Sequence, residues 1–232
     1  MNLKNINFNK IPRKFIFLAG ISSPDFCEKN PLNAKKINFT NTIIFIEILL
    51  SRGHEVLFAS SDVVYGDSDK IKNELSTLNP YGFYGILKSK VEEYFKNYQN
   101  FYVARLSNIF SKEDKFVQYL VNTYNKSETA IVFNNFIRTP IHFKDFLNFI
   151  EAFVIDKNFS YKVVNLCGNE HISRTDIAKK INKVCNLKYN VIETPKDFLS
   201  NRPLKIKTES IYLNDIIGIE RTNLLYDLEL CF

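Results

Sequence analysis

Short apolar runs that close on a small or polar residue alternate along this chain with longer segments whose apolar residues recur at helical spacing. That alternation narrows the possible folds more than any other feature. KFIFLAG (14–20), EVLFASS (55–61), FYVARLSNIF (101–110), AIVFNN (130–135), YKVVNLCG (161–168) and YNVIET (189–194) have the length and β-branched or aromatic content of buried strands. Between them, 31–52, 79–99, KFVQYLVNTYN (115–125), HFKDFLNFIEAFVI (142–155) and a segment capped by Ser173 and running to Leu187 read as helices. Parallel strands need crossovers of a dozen residues or more, usually helical. The spacing therefore predicts an α/β protein with a mainly parallel sheet covered on both faces.

Composition bounds the function classes. Hydrophobic content of 45% with 24% charged residues is that of a folded globular chain, not a disordered one. The formal net charge of +6 is scattered among acids, as in KSKVEEYFK, so a nucleic-acid partner is disfavoured, and basic pockets for phosphorylated small molecules fit as well. Cys27, Cys167, Cys185 and Cys231 form no C-x-x-C pair and the three histidines lie far apart, which argues for reduced thiols and no metal site. No apolar run reaches the roughly 18 residues of a membrane span, and the polar start MNLKNINFNK lacks a signal peptide's apolar core. The expectation is a cytoplasmic protein without a membrane partner.

The stretch SSDVVYGDSDKIKNELSTLNPYGFYGILKSK (60–90) carries the chemistry. On a helix Tyr84 and Lys88 are i and i+4, with Cβ atoms about 5–6 Å apart on one face. A protonated Lys beside a Tyr favours the phenolate by up to about 4 kcal/mol at an effective dielectric near 20. That is enough to bring a phenol from its usual value near 10 toward neutrality, where it works as an acid or base. Ser61, ending a parallel strand, would lie at the carboxyl edge of the sheet, where such folds place ligands, and could bond the same substrate oxygen. The bland alternative is a half-buried aromatic, a solvated lysine and a strand cap.

The ordered blocks FASSDVVYG, NPYGFYGILKSKVEEYF, VARLSNIF and IRTPIHFKDF resemble the extended short-chain dehydrogenase/reductase family, the NAD(P)-dependent epimerases, dehydratases and reductases of nucleotide sugars. FIFLAG looks like the family's fourth strand, NPLNAKKINFTNTIIFIEILL like its N-x-x-x-T helix, and NRPLKIKTES like a block near its end. The resemblance implies a Rossmann-like doubly wound sheet, with residues 1–110 a partial dinucleotide-binding domain and 111–232 mostly a substrate-binding region interleaved with the sheet. It implies Ser61, Tyr84 and Lys88 as the catalytic triad, with Asp62 beside them. Ala19, Gly20 and Asn38 would line the NAD or NADP cofactor, whose nicotinamide ribose Lys88 would also hold. Asn108, Arg138 and Arg202 would contact the nucleotide-sugar phosphates, the guanidinium forks suiting bidentate oxygens.

The departures are as informative. The family's glycine-rich G-x-x-G-x-x-G turn should precede FIFLAG, yet Gly20 is the first glycine here. The resemblance thus implies either the later part of a longer or split protein, or a truncated relative. In the family's strand order KFIFLAG would become an exposed edge, so we expect the N-terminal decapeptide, a second copy or another chain to cover 14–20. Val63 stands where 4,6-dehydratases carry a Glu, which disfavours that reaction. Two readings remain from the sequence: a nucleotide-sugar epimerase or 4-keto-sugar reductase, and a non-catalytic truncated relative that binds a nucleotide sugar or a partner chain.

Overall fold

The computed structural model describes residues 13–183, 185–224 and 226. Strands β1 (Lys14–Phe17), β2 (Glu55–Ser61), β3 (Phe101–Leu106) and β4 (Val163–Leu166) form one sheet in that spatial order. Every pair is parallel, with Lys14 opposite Glu55, Val56 opposite Phe101 and Val103 opposite Val163. Side chains of a strand alternate between faces. Val56, Phe58, Phe101 and Val103 accordingly join Ile46 and Leu49 of helix Thr42–Leu50 and Val91 and Phe95 of helix Gly82–Phe95. Leu57, Tyr102, Ala104 and Val164 pack on the other face against Phe149 and Phe153 of helix Phe143–Ile155 and Leu213 of helix Leu213–Ile217. The fold is thus α/β with a Rossmann-like parallel sheet covered on both faces.

A smaller second body holds its own core. Strands Ala130–Asn134 and Tyr189–Glu193 pair in parallel away from the main sheet, and helices Lys115–Asn125 and Arg174–Ile181 bury Val117, Leu120, Ile177 and Ile181 against them. Their alternation looks the same in sequence as that of the main strands; only pairing separates the two ladders.

Several boundaries differ from the sequence reading. The helix expected from 31 to 52 is broken by a π-helical turn at Lys36–Asn41, where Asn38 turns its carboxamide onto both backbone groups of Ile21. The helix expected from Asn79 begins at Gly82, because the residue before a proline avoids helical geometry and Tyr81 is extended. Ser173 forms a capping box with Asp176, but its helix stops at Ile181 rather than Leu187. The outer edge of β1 has no strand partner among the described residues; the decapeptide expected to cover it lies outside them. No described helix is long and apolar enough to cross a membrane.

A buried polar network ties the sheet to helix Gly82–Phe95. Glu92 and Arg105, both nearly inaccessible, form a fork at 2.7 and 3.1 Å, and Ser60 donates a short hydrogen bond to Glu92. Arg105 Nη1 donates to the Tyr65 hydroxyl at 2.8 Å, which in turn lies 2.8 Å from Asn165 Oδ1 on β4. Removing one partner of a buried ion pair strands the other's charge. Arg105→Met should therefore cost ~3–5 kcal/mol in urea-induced unfolding, and adding Glu92→Met should recover part of the loss.

Candidate active site

Strand β2 ends at Ser61 and runs straight into a 3-10 turn, Asp62–Tyr65. Gly66, at φ +73°, turns the chain where a Cβ would lie 2.1 Å from the Asn79 carbonyl oxygen. The chain then loops out and returns: Asn79 N donates to Val64 O at 3.0 Å and Tyr81 N to Val63 O at 3.3 Å. Gly85 lets the helix lie close to the turn, since a Cβ there would meet Val63 O at 3.2 Å. The helix N-terminus, lacking a side-chain cap of its own, is capped by Glu28, whose Oε1 accepts from Phe83 N at 2.6 Å. This docking brings Tyr84 beside Ser61 although 22 residues separate them in sequence.

Ser61, Asp62, Tyr84 and Lys88 line one cleft of about 610 Å³ at the carboxyl end of the sheet. Gly20, Asn108, Arg138 and Arg202 line it too, so most of the residues singled out from sequence converge. Ala19 is exposed and not part of the wall. Asn38 stands behind it, its amide committed to Ile21 at 2.7 and 2.8 Å, so it positions the loop after β1 rather than facing the cavity.

The protonation states differ from the sequence expectation. Burial pushes the Tyr84 phenol up to about 12, with the neighbouring Asp62 and Cys27 adding to the effect and the Ser61 hydroxyl opposing it. Lys88 does not bring it toward neutrality. Its Nζ donates to Ala59 O at 2.6 Å and lies 4.6 Å from the Phe58 ring centre, but 5.8 Å from that of Tyr84. Lys88 itself is lowered to about 8 by desolvation, with Glu92 partly restoring its charge. The site thus holds a phenol and, at neutral pH, an ammonium.

Around the triad, buried polar atoms lack partners. Asp62, 5% exposed, is raised above the usual carboxylate range by burial, with Arg138 opposing. Its Oδ2 and the Ser107 Oγ beside it have no well-formed hydrogen bond among the described residues. Ser61 Oγ lies 3.3 Å from Asp62 Oδ1, accepts from Val63 N at 3.4 Å and also meets the Tyr84 hydroxyl. A polar ligand would satisfy Asp62 Oδ2 and Ser107 Oγ.

Arg138 and Arg202 are engaged by protein groups as they line the cleft. Arg138 is buried and donates to the carbonyls of Ile137, Pro203 and Leu204, with its guanidinium 3.9 Å from the Phe136 ring centre. Arg202 forms a fork with Asp25 at 2.6 and 2.7 Å. Sequence reasoning missed Arg174 and Phe198, which also line the cleft; an Arg after a helix-capping Ser carries no signal that would have marked it.

The RmlD substrate binding domain family matches residues 4–209. The chain is similar in structure to dTDP-4-dehydrorhamnose reductase from Yersinia enterocolitica at 24% identity and TM-score 0.81, covering 95% of this chain and 79% of that one. It is similar to UDP-glucose 4-epimerase from Thermotoga maritima, with UDP-glucose, at 16% identity and TM-score 0.77, covering 95% and 76%. A third similar structure is UDP-glucuronic acid 4-epimerase from Bacillus cereus with UDP-glucuronic acid and NAD, at 18% identity and TM-score 0.74, covering 92% and 72%. At these identities the likeness bears on the fold alone.

The lowered Lys88 is directly measurable. In an NMR titration its ammonium should lose its proton near pH 8, while exposed lysines do so near ~10.4. A Lys88 midpoint at the ordinary value would mean the cleft is wetter than its packing indicates.

Proposed function

The chain belongs to the RmlD substrate binding domain family, within the extended short-chain dehydrogenases/reductases, and on that premise we propose that it is a nucleotide-sugar reductase. The observation that carries the reading is the meeting of Ser61, Tyr84 and Lys88 in one cleft that Arg138, Arg174 and Arg202 also line. The triad suits a sugar carbonyl and the arginines an anionic diphosphate. The phenol, raised by burial, is a proton donor suited to a carbonyl oxygen, the transfer that a reductase requires; an epimerase would use the same group in both directions.

The Ser61 hydroxyl, beside Tyr84, would orient the keto oxygen of a 4-keto sugar. NADH or NADPH, when bound, would supply the hydride to the carbonyl carbon. Tyr84 would donate its phenolic proton to the oxygen as the C=O bond becomes C–O, giving the alcohol. The Lys88 ammonium would stabilise the phenolate left behind until it is reprotonated from solvent. Lys88 uses one N–H on Ala59 and retains two, a donor set that fits ribose hydroxyls at the nicotinamide end, beside Gly20. Asp62 and Ser107 would supply further hydrogen bonds to the sugar.

The test is oxidation of NADH or NADPH by the purified chain in the presence of dTDP- and UDP-linked 4-keto sugars. Tyr84→Phe should lower turnover by ~10²-fold or more while nucleotide-sugar affinity stays near that of the unaltered chain. Equal turnover in that variant would refute the assigned chemistry. Nucleotide-sugar binding without any cofactor oxidation would leave the non-catalytic alternative.

A further inference from the structure

The helix that carries Tyr84 and Lys88 supplies no cap of its own. Its N-cap residue, Tyr81, is extended and offers no side-chain bond to the first turn. The first amides of a helix have no partner within it and point outward along its axis. Here Phe83 N is answered from 55 residues away in sequence, by Glu28 Oε1 at 2.6 Å. Gly82, at φ +68°, leaves room for this approach: a Cβ there would lie 2.9 Å from Asn201 O and 3.4 Å from Glu28 Oε1.

Glu28 stands on a short helix, Pro24–Lys29, that is itself held from several sides. Ser23 caps it, Asp25 accepts the Arg202 fork at 2.6 and 2.7 Å, and Cys27 is fully buried with Ala34 and Leu87 in a cluster against which Phe83 and Tyr84 pack. Asp25 and Glu28, three residues apart, share one face of this helix. The carboxylate of Glu28 therefore reaches the Tyr84 helix from a fixed support. The polar lock at Glu92 lies eight residues beyond Tyr84, ~12 Å further along the axis. It sets rotation there, while Glu28 meets the end that bears the phenol.

We propose that Glu28 is a positioning residue for the proton donor: by holding Phe83 N it sets where the Tyr84 hydroxyl stands relative to Ser61. The inference rests on the reductase reading above and goes beyond it by naming a residue outside the cleft wall on which proton transfer depends. A hydrogen bond to a carboxylate is among the stronger ones, and Phe83 is the residue directly before Tyr84. A displacement of ~1 Å at the reacting atoms costs ~10²-fold in rate. The effect is one of reach: Gln at 28 keeps an acceptor at the same distance, whereas Asp keeps the charge on a side chain one methylene short.

NMR and steady-state kinetics on the full chain test the assignment. In Glu28→Ala the Phe83 amide should exchange with solvent at least ~10-fold faster and the Tyr84 Cζ resonance should move. The kcat for reduction of a dTDP-linked 4-keto sugar by NADH or NADPH should fall ~10-fold or more, with KM within ~2-fold of the unaltered chain. Glu28→Gln should restore all of these, and Glu28→Asp should behave like Glu28→Ala. The Gln and Asp variants carry the test if the Ala variant does not fold. An unmoved Tyr84 resonance in Glu28→Ala and Glu28→Asp, no recovery in Glu28→Gln, or a loss confined to KM overturns the inference. Movement of the Tyr84 resonance with recovery in Glu28→Gln, in a chain that reduces no nucleotide sugar, would sustain it and remove the reductase reading. Reduction by Glu28→Ala and Glu28→Asp at the unaltered kcat would do the reverse.

Discussion

Everything at the cleft depends on how helix Gly82–Phe95 is rotated against strand β2, and the buried Glu92–Arg105 pair sets that rotation. Tyr84, Lys88 and Glu92 are four residues apart in series and share one helix face. Glu92 takes Arg105 and Ser60, Lys88 takes the Ala59 carbonyl, and Tyr84 sits beside Ser61. Three successive residues at the carboxyl end of β2 thus meet three successive turns of the helix. Because an unpaired buried charge is costly, rotating the helix away from Arg105 would strand both members of the pair. The polar lock below the cleft holds the chemistry above it in register.

Desolvation, not proximity, governs the protonation of the triad. A lysine one helical turn away argues for a low phenol value, and in water-like surroundings the attraction would dominate. Inside the packed cluster of Cys27, Leu87 and Phe83, burial disfavours both the phenolate and the ammonium. The Lys88 ammonium bonds a carbonyl and lies closer to the Phe58 ring centre than to that of Tyr84. Burial can move such groups by several pKa units, and it moves Tyr84 and Lys88 in opposite directions, toward a proton-loaded phenol.

The second body gives the site its length. Its core of Val117, Leu120, Ile177 and Ile181 is separate from the two layers on the main sheet, yet Arg138, Arg174 and the loop carrying Arg202 all approach the cleft from that side. Arg138 bonds the carbonyls of Pro203 and Leu204, so it fastens the loop that presents Arg202. Arg202 in turn reaches across to Asp25 on the helix following β1.

The sequence alone determined the α/β class, the four strands of the sheet and the Tyr84–Lys88 spacing, because these follow from periodicities of two and 3.6 residues written locally in the chain. It also marked Ser61, Asp62, Asn108, Arg138 and Arg202, which the fold brings to one cleft. Strands 130–134 and 189–193 looked like the others, since local composition does not encode a partner. Only the tertiary structure decided that they pair apart, that Asn38 serves Ile21, that burial raises the Tyr84 phenol, and that Arg138 is spent on backbone carbonyls and Arg202 on Asp25. The physical reason is common to all four: they depend on which groups are removed from water and what they meet there, and that is settled by contacts between residues far apart in the chain.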